Sequence, residues 1–156
     1  MLGVSVMAIN VPKEYEVPLY LFHQGKNAEA YKLFGSHFAE KDGVRGVVFR
    51  VWAPKAADVS VVGDFNHWNR EESYMKKISD GGIWELFIPG LKKFDNYKYS
   101  IRTERGQIKL KADPYGYHME TRPNTASKVY DISGYNWKDS KWMDEKKTKD
   151  VYRSPI

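Results

Sequence analysis

The loop at residues 63–69, Gly-Asp-Phe-Asn-His-Trp-Asn, carries the strongest chemical signal in this sequence. It is rich in turn-forming residues, yet it holds two large aromatic side chains, Phe65 and Trp68. We expect Phe65 to pack inward, because it directly follows an apolar run. Trp68 lies deeper in the loop, and its indole offers a flat apolar face with one N–H donor. That face can stack on the C–H groups of a sugar ring, or it can simply cover the edge of a β-sandwich.

The hydroxyl groups of a stacked sugar need polar partners around the ring. Three side chains are candidates for these contacts: Asn66, Asn69 and Lys98. Lys98 lies between two tyrosines in a run that alternates like a β-strand, so its side chain points outward if the tyrosines point inward. Residue types alone leave both interpretations of Trp68 open.

Catalytic chemistry has no comparable support. The chain lacks cysteine and has neither a Gly-x-Ser-x-Gly motif nor a phosphate-binding glycine loop. Hydrolysis of a glycosidic bond needs two carboxylates held across a sugar ring. Five carboxylates are candidates: Asp64, Glu85, Glu104, Asp113 and Glu120. Nothing in their spacing pairs any two, and Asp113-Pro114 is as readily a turn, so we expect no catalytic residue.

The remaining side chains indicate neither a metal site nor a nucleic-acid site. The four histidines lack the spacing of metal ligands, so we assign no metal and no cofactor. A net charge of +5 and a pI near 9.2 are typical of nucleic-acid binding. However, residues 138–150 interleave lysines with aspartates and glutamates, whereas a phosphate-binding stripe is purer in sign. We expect a mixed-charge surface without a nucleic-acid partner.

Targeting signals are also missing from the sequence. No stretch reaches the ~20 apolar residues of a membrane span. The apolar run at residues 1–9 is too short for a secretory signal and lacks a basic flank. The absence of cysteine fits a reducing compartment, so we expect a cytoplasmic protein with no membrane partner.

Three zones along the chain determine where these residues lie. They are an N-terminal arm at residues 1–43, a β-region at 44–133 and a polar, lysine-rich linker at 134–156. Within the arm, two prolines predict extended chain over residues 10–18. Helical spacing followed by Gly35 predicts a short helix near residues 27–34. We expect the arm to be a packing appendage rather than part of a site.

Residues 44–133 alternate between apolar and polar with the period of a β-strand. The apolar residues of four runs are expected to face one core: Val47, Phe49 and Val51; Val59 and Val61; Trp84, Leu86 and Ile88; Tyr97, Tyr99 and Ile101. Ile108 and Leu110 then alternate with lysines, and Val129 and Ile132 close the series. Turn residues separate the runs, and no helical period interrupts them. The pattern predicts an all-β fold, an immunoglobulin-like β-sandwich, and disfavours a doubly wound sheet.

Several motifs resemble those of family-48 carbohydrate-binding modules. They are found at residues 63–68, 82–90, 97–99, 111–116 and 122–127. Two earlier segments, at residues 34–38 and 46–54, are similar to the amino-terminal region of 1,4-α-glucan branching enzymes of glycoside hydrolase family 13. The resemblance covers roughly residues 20–143, and its specific part is the combination of the 63–68 loop with residues 122–127.

The resemblance implies a longer parent enzyme of glycogen synthesis that cuts α-1,4 linkages and transfers the chain to a 6-hydroxyl group. Such enzymes need no cofactor, and their catalytic aspartate and glutamate lie in a barrel that would begin after the present chain. The resemblance therefore implies a non-catalytic module. Its partners would be an α-1,4-glucan (glycogen, amylopectin or a maltooligosaccharide) and the barrel itself. The alternatives are a structural module that packs on the barrel with little glucan binding, and a free-standing glucan-binding regulatory module.

The resemblance also implies roles for individual residues. Trp68 corresponds to the tryptophan that stacks on glucose, and Lys98 to the lysine that contacts sugar hydroxyl groups. Asn124 and Thr125 fall in the late segment that supplies further polar contacts. Related kinase modules carry a second stacking tryptophan before the Asp-Pro pair, whereas residues 107–112 of this chain hold no aromatic residue. A single stacking platform implies weak binding, about millimolar.

Overall fold

The computed structural model describes residues 13–148 of the 156-residue chain. Two helices flank the strands in this range: α1 (Lys13–His23) and α2 (Ser140–Thr148). Nine strands lie between these helices: β1 (Gly35–Lys41), β2 (Val44–Trp52), β3 (Ala56–Gly63), β4 (Lys76–Ser79), β5 (Ile83–Pro89), β6 (Asn96–Thr103), β7 (Ile108–Lys111), β8 (His118–Met119) and β9 (Ser127–Lys128). Short 3₁₀ turns occupy Ala30–Lys32 and Asp64–Asn66. Neither α1 nor α2 is long and apolar enough to cross a membrane.

The strands form two antiparallel sheets that enclose one core. The four-stranded sheet has the order β1-β2-β5-β4, and the five-stranded sheet has the order β3-β6-β9-β8, with β7 also paired to β6. The core includes Phe49 and Trp84 from the first sheet and Val61 and Tyr99 from the second. The prediction of an all-β sandwich is confirmed.

The alternation in the sequence sets the inward faces of the strands as predicted. The predicted core residues that are buried are Val47, Phe49, Val51, Val59, Val61, Trp84, Tyr97, Tyr99 and Val129. Leu86, Ile88 and Ile101 are partly buried against the same core, whereas Ile132 is exposed beyond the last strand. Burial of a side chain of this size stabilises the fold by about 1.5–3 kcal/mol, so this cluster is the main reason that the two sheets stay together.

The strand β7 keeps the predicted alternation but turns its apolar side outward. The register pairs Lys111 with Tyr99, whose side chain is in the core, and directly paired residues share a face of the sheet. Lys109 and Lys111 therefore point to the inner side, while Ile108 and Leu110 point outward and are 57% and 56% exposed. Because β7 is an edge strand, its inner side lies at the margin of the sandwich, where lysine side chains reach water.

The N-terminal arm is folded differently from the prediction. Where extended chain was expected, α1 forms from residue 13 onward, although Pro18 lies inside it; residues 10–12 lie outside the described residues. The predicted helix near residues 27–34 is wrong, because that stretch holds only a 3₁₀ turn. Tertiary packing overrides local preference here, since Leu19 of α1 is buried against the four-stranded sheet.

The first sheet begins before residue 44, its expected start. β1 lies within the range expected to be an arm, and it pairs with β2 along its whole length. Asp42 and Gly43 connect the two strands, with φ values of 52° and 75°. A type I′ hairpin needs two such positive values, and Asp-Gly is its common sequence signal. Asp42-Gly43 is therefore a sequence signal for a hairpin, in a range where only an N-terminal arm was predicted.

The helix α1 covers the outer face of the four-stranded sheet. A second apolar cluster forms there from Leu19, Ala30, Leu33, Phe34, Ile78 and Ile83. Arg50, which points to this face from β2, is buried, and its Nε donates to Glu85 Oε2 at 2.6 Å. The Arg50 guanidinium lies 4.1 Å from the ring centroid of Tyr15 in α1. These contacts close this face, so the 63–69 loop and Lys98 lie on the opposite side of the sandwich.

Candidate functional site

The 63–69 loop holds its aromatic residues in a strained backbone. A 3₁₀ turn follows the end of β3 at Gly63, and His67 and Trp68 then adopt φ values of 52° and 60°. Such left-handed values are uncommon for residues other than glycine, and they persist where the surrounding structure enforces them. The Trp68 side chain stays 40% exposed, whereas Phe65 packs against the core as predicted. The loop therefore presents one indole to solvent.

Asn66 is a structural anchor of this loop. It is buried, its Oδ1 accepts the Gly63 N–H at 2.9 Å, and its Nδ2 donates to the Val61 carbonyl at 2.9 Å. The same Nδ2 donates to Ser73 Oγ at 3.1 Å. These bonds use both N–H donors of a buried amide, so the geometry supports a structural role, and the sugar contact predicted for Asn66 stays a prediction.

Asp64 fixes the orientation of the exposed indole. Trp68 Nε1 donates to Asp64 Oδ1 at 2.9 Å, and Asn96 Nδ2 donates to Asp64 Oδ2 at 2.9 Å. One carboxylate thus ties the loop tryptophan to the first residue of β6. With its N–H already bonded, Trp68 can contact a ligand through its ring face only. Asp64 was predicted only as one of five candidate carboxylates, and no pattern in the sequence pointed to Asn96.

Lys98 and Thr125, both predicted site residues, meet on the outer face of the five-stranded sheet. Lys98 is half-buried and pairs with Val62 in the β3–β6 ladder. Its Nζ donates to Thr125 Oγ1 at 2.7 Å, although 27 residues separate the two in sequence. An ammonium group carries three N–H donors, so two remain for a ligand. Lys98 lies two residues along β6 from Asn96.

The other polar candidates lie at the margins of this region. Asn124 is exposed, and its Nδ2 lies 3.5 Å from Glu120 Oε1. Asn69 is exposed and donates to Glu72 Oε1 at 2.9 Å within the loop. Neither contact joins these amides to Trp68 or Lys98. Their roles in binding stay predictions.

We call the set Asp64, Trp68, Asn96, Lys98 and Thr125 the Trp68 surface. The set joins a flat apolar ring, linked through Asp64 to the start of β6, with an ammonium group from the third residue of β6 and the hydroxyl group that it contacts. This arrangement suits a ligand that has both an apolar face and a hydroxyl-bearing rim, because stacking and hydrogen bonding then act together. Its single carboxylate, Asp64, is bonded to Trp68 and Asn96, so the set holds no pair of carboxylates.

Asp113 lies beneath this surface in the interior of the sandwich. Its Oδ2 accepts the hydroxyl groups of Tyr97 at 2.7 Å and Tyr99 at 3.0 Å, and its Oδ1 accepts the Tyr115 N–H at 2.8 Å. Burial raises the pKa of the Asp113 carboxyl, and hydrogen bonds from Tyr97 oppose that shift. Burial likewise raises the pKa of both tyrosines. This network joins the 113–115 turn to β6, which is a structural role.

Two other candidate carboxylates, Glu85 and Glu120, have separate hydrogen-bonding partners. Glu85 pairs with Arg50 on the opposite face, and Glu120 Oε2 accepts the Ala126 N–H at 2.9 Å. Within residues 13–148, no three histidine, aspartate or glutamate side chains cluster so that they could hold a metal ion. Glu85 and Glu120 are therefore each bonded within the fold.

Curated relatives of the chain carry one shared description. The 1,4-α-glucan branching enzyme GlgB of Bacillus subtilis (strain 168) is 50% identical over 150 residues, which are 96% of this chain and 24% of that enzyme. GlgB of Bacillus cytotoxicus is 51% identical over 141 residues, 90% of this chain and 22% of the enzyme. The chain thus spans about a quarter of the length of these relatives, and it matches their amino-terminal part.

Solved structures show the same sandwich in larger enzymes. A Klebsiella pneumoniae pullulanase complexed with maltotriose matches with a TM-score of 0.51 and 26% identity over 67% of this chain and 10% of that one. An α-amylase described as putative, from Salmonella typhimurium, has a TM-score of 0.51 at 23% identity over 70% of this chain and 16% of that one. The second match supports the fold alone.

The family model gives the same assignment over the middle of the chain. Residues 33–116 match the model described as carbohydrate-binding module 48 (isoamylase N-terminal domain). This range runs from the end of the arm through the Trp68 loop, β6 and β7 to the Asp113 turn, so it contains the sandwich core and most of the Trp68 surface. Because residues 33–116 match this model and the curated relatives are about half identical to the chain, the chain belongs to the carbohydrate-binding module 48 family.

Proposed function

We propose that this chain is a non-catalytic α-glucan-binding module of a 1,4-α-glucan branching enzyme. The observation that carries the proposal is the exposed ring of Trp68, which Asp64 links to Asn96 on the face of β6 that also carries Lys98. The parent enzyme would transfer α-1,4 chains to form α-1,6 branches in glycogen. The present chain would hold the glucan, and the catalytic barrel would supply the chemistry.

The chemistry of an α-glucan fits the groups on the Trp68 surface. Each glucose ring presents C–H groups on its faces and hydroxyl groups around its rim. The Trp68 ring stacks on a face, and Lys98 donates to hydroxyl oxygens with the N–H groups that Thr125 does not use. Stacking on one aromatic ring contributes about 1–3 kcal/mol, by analogy with base stacking on proteins. We therefore propose weak binding of glycogen, amylopectin and maltooligosaccharides in the cytoplasm.

Electrophoresis in a native gel that contains glycogen or amylopectin tests this proposal. The wild-type chain should be retarded relative to a gel without glucan, and Trp68→Ala should migrate without retardation. Trp142→Ala is the matched control, because Trp142 is an exposed indole on α2, which has no buried residue. If wild type and Trp68→Ala migrate alike in the glucan gel, binding through this loop is wrong.

A second candidate function is that of an interaction module that packs on the barrel. Large apolar side chains are exposed near the carboxyl end of the described chain: Ile132, Tyr135, Trp137, Trp142 and Met143. Exposed apolar patches of this kind mark interaction surfaces, and the relatives are about four times as long as this chain. Analytical ultracentrifugation should then show self-association of the isolated chain, which Trp137→Ser should reduce. A monomer at all concentrations would count against this function.

A further inference from the structure

We infer that a second sugar-contacting platform, formed by Phe94, His118 and Tyr130, lies at the same end of the five-stranded sheet as Trp68. This inference rests on the proposed glucan binding, and it names the ligand more narrowly. The ligand is a linear α-glucan chain long enough to reach both platforms at once. We call the three residues the Phe94 platform.

The three aromatic rings form a compact cluster with one ring exposed. The Phe94 centroid lies 5.6 Å from those of His118 and Tyr130, and the His118 and Tyr130 centroids lie 5.1 Å apart. Phe94 is 51% exposed. Its φ of 78° is left-handed, a conformation that costs a residue with a bulky side chain. The structure thus holds a phenyl ring at the surface at the expense of backbone strain, as it does for Trp68.

A continuous row of paired residues connects the two platforms. Asn96 of β6 pairs with Lys128 of β9, and Lys128 pairs with His118 of β8. Paired residues share a face, and adjacent strands lie ~4.8 Å apart, so this row spans roughly 10 Å. Asn96 is also bonded to Asp64, which holds Trp68. The row therefore runs from the Trp68 indole to the Phe94 platform across one outer face.

Two polar atoms along this row lack a protein partner. Among residues 13–148, Asn96 Oδ1 and His118 Nδ1 are buried atoms without a hydrogen bond to another described group. Buried polar atoms are nearly always hydrogen-bonded in native proteins. Both side chains belong to the row of paired residues on this face, so a side-chain rotation that brings either atom to the surface would let a sugar hydroxyl group become its partner.

The charge and shape beyond the cluster suit the same ligand. Lys93 Nζ lies 4.1 Å from the Tyr130 ring centroid and 5.5 Å from that of Phe94. Lys93 and Tyr130 also line an open groove of about 590 Å³ that continues past Asp131 and Ser133 toward Trp137. The second platform would thus supply the aromatic ring that residues 107–112 lack.

Two platforms change how affinity depends on ligand length. Once one part of a glucan is bound at Trp68, contact of the next part with Phe94 is intramolecular, and its effective concentration is high. A short ligand reaches one platform only. The affinity of the wild-type chain should therefore rise with the number of glucose units, and this rise should depend on Phe94.

The test is an NMR titration of the full 156-residue chain with maltose and with maltoheptaose. Phe94→Leu keeps an apolar side chain and removes the flat ring. It should weaken maltoheptaose binding about fivefold or more while it leaves maltose binding unchanged. Phe94→Trp keeps a flat ring and should bind both ligands like the wild type. Tyr20→Leu is the matched control, since Tyr20 is exposed on α1, on the opposite side of the sandwich.

Three other results would overturn the inference. If Phe94→Leu binds both ligands like the wild type, the cluster is not a platform, although glucan binding at Trp68 stands. If Tyr20→Leu weakens maltoheptaose binding as much, the effect does not belong to this face. If the wild type binds neither ligand, the proposed function fails and the inference with it. Thermal melts establish that each variant is folded, and Tyr130→Leu repeats the test should Phe94→Leu unfold.

Discussion

The two outer faces of the sandwich differ in how far they are covered by other segments, although both arise from the same alternation of apolar and polar residues. On the four-stranded sheet, the outward residues Arg50 and Ile83 are covered by α1 and the turn after it. On the five-stranded sheet, residues 70–73 cover the outward Ser60, whereas the outward Asn96 and Lys98 at one end of the face stay partly exposed. We therefore expect the first face to contribute to stability and, under the proposed function, the open end of the second face to contribute to binding. Substitutions should separate the two.

The largest expected effect is on the stability of the covered face. Phe34 is fully buried there, with ring centroids 4.4 Å from Phe22 and 5.3 Å from Tyr115. Phe34→Ala should lower the free energy of unfolding by about 3–5 kcal/mol, because it removes these contacts and leaves a cavity. Urea denaturation measures this change. Trp142→Ala, at an exposed position on α2, should change it by less than about 0.5 kcal/mol.

The buried ion pair on the same face should show the next largest effect. Arg50→Met leaves Glu85 without its partner, which should destabilise the fold by about 2–3 kcal/mol, since Glu85 keeps some contact with water. Adding Glu85→Gln should recover most of this loss in urea denaturation. Neither variant should change the retardation in glycogen gels, because both residues lie on the face opposite to Trp68. A loss of retardation in the folded variants would break the comparison of the two faces.

On the open face, substitution should change binding more than stability. Asp64→Ala removes the acceptor for the Trp68 N–H and for Asn96. The freed indole should bind maltoheptaose about fivefold more weakly, since ordering the ring then costs about 1 kcal/mol. Asp64→Asn keeps one carbonyl acceptor and should fall between Asp64→Ala and the wild type. Equal affinity of all three proteins, measured by tryptophan fluorescence, would show that the backbone alone positions the ring.

The smallest expected effect is the pH dependence from Asp113, which lies between the two faces. Burial raises its pKa in the folded state above the ordinary value of 3.8, so the folded protein binds this proton more tightly than the unfolded chain does. The contribution of Asp113 to stability is therefore full below pH 3.8 and is lost as the pH rises through the folded-state pKa. Urea denaturation across this window should show a decline in the wild type that Asp113→Asn lacks. The same slope in both proteins would contradict this assignment.

The sequence allowed prediction of those strands and loops that neighbouring residues along the chain determine. Alternation located Phe49 and Tyr99 in the core, because the period of a strand is visible in single runs. The indole of Trp68 was identified from its residue type in a turn-rich loop. The helix α1 was not predictable in this way, since Pro18 opposes it and contacts with a distant sheet stabilise it.

The details of the site depend on contacts that sequence spacing does not show. Asn96 lies 32 residues from Asp64, and only the register of β3 against β6 brings them together. Asn66 was predicted as a polar partner for sugar hydroxyl groups, yet its buried amide is hydrogen-bonded to the backbone of the loop. The use of Trp68, Lys98, Asn124 and Thr125 for sugar binding stays a prediction until it is measured.

The edge strand β7, whose apolar residues point outward and whose lysines point inward, affects how the molecule avoids aggregation. An edge strand with exposed Ile108 and Leu110 would ordinarily invite a second chain to add a strand and extend the sheet. A strand added to this edge would enlarge the inner face of the sheet, and Lys109 and Lys111, which point to that face, would then lose contact with water. Desolvating unpaired charges is unfavourable. The two lysines therefore oppose the pairing of β7 with an edge strand of a second chain.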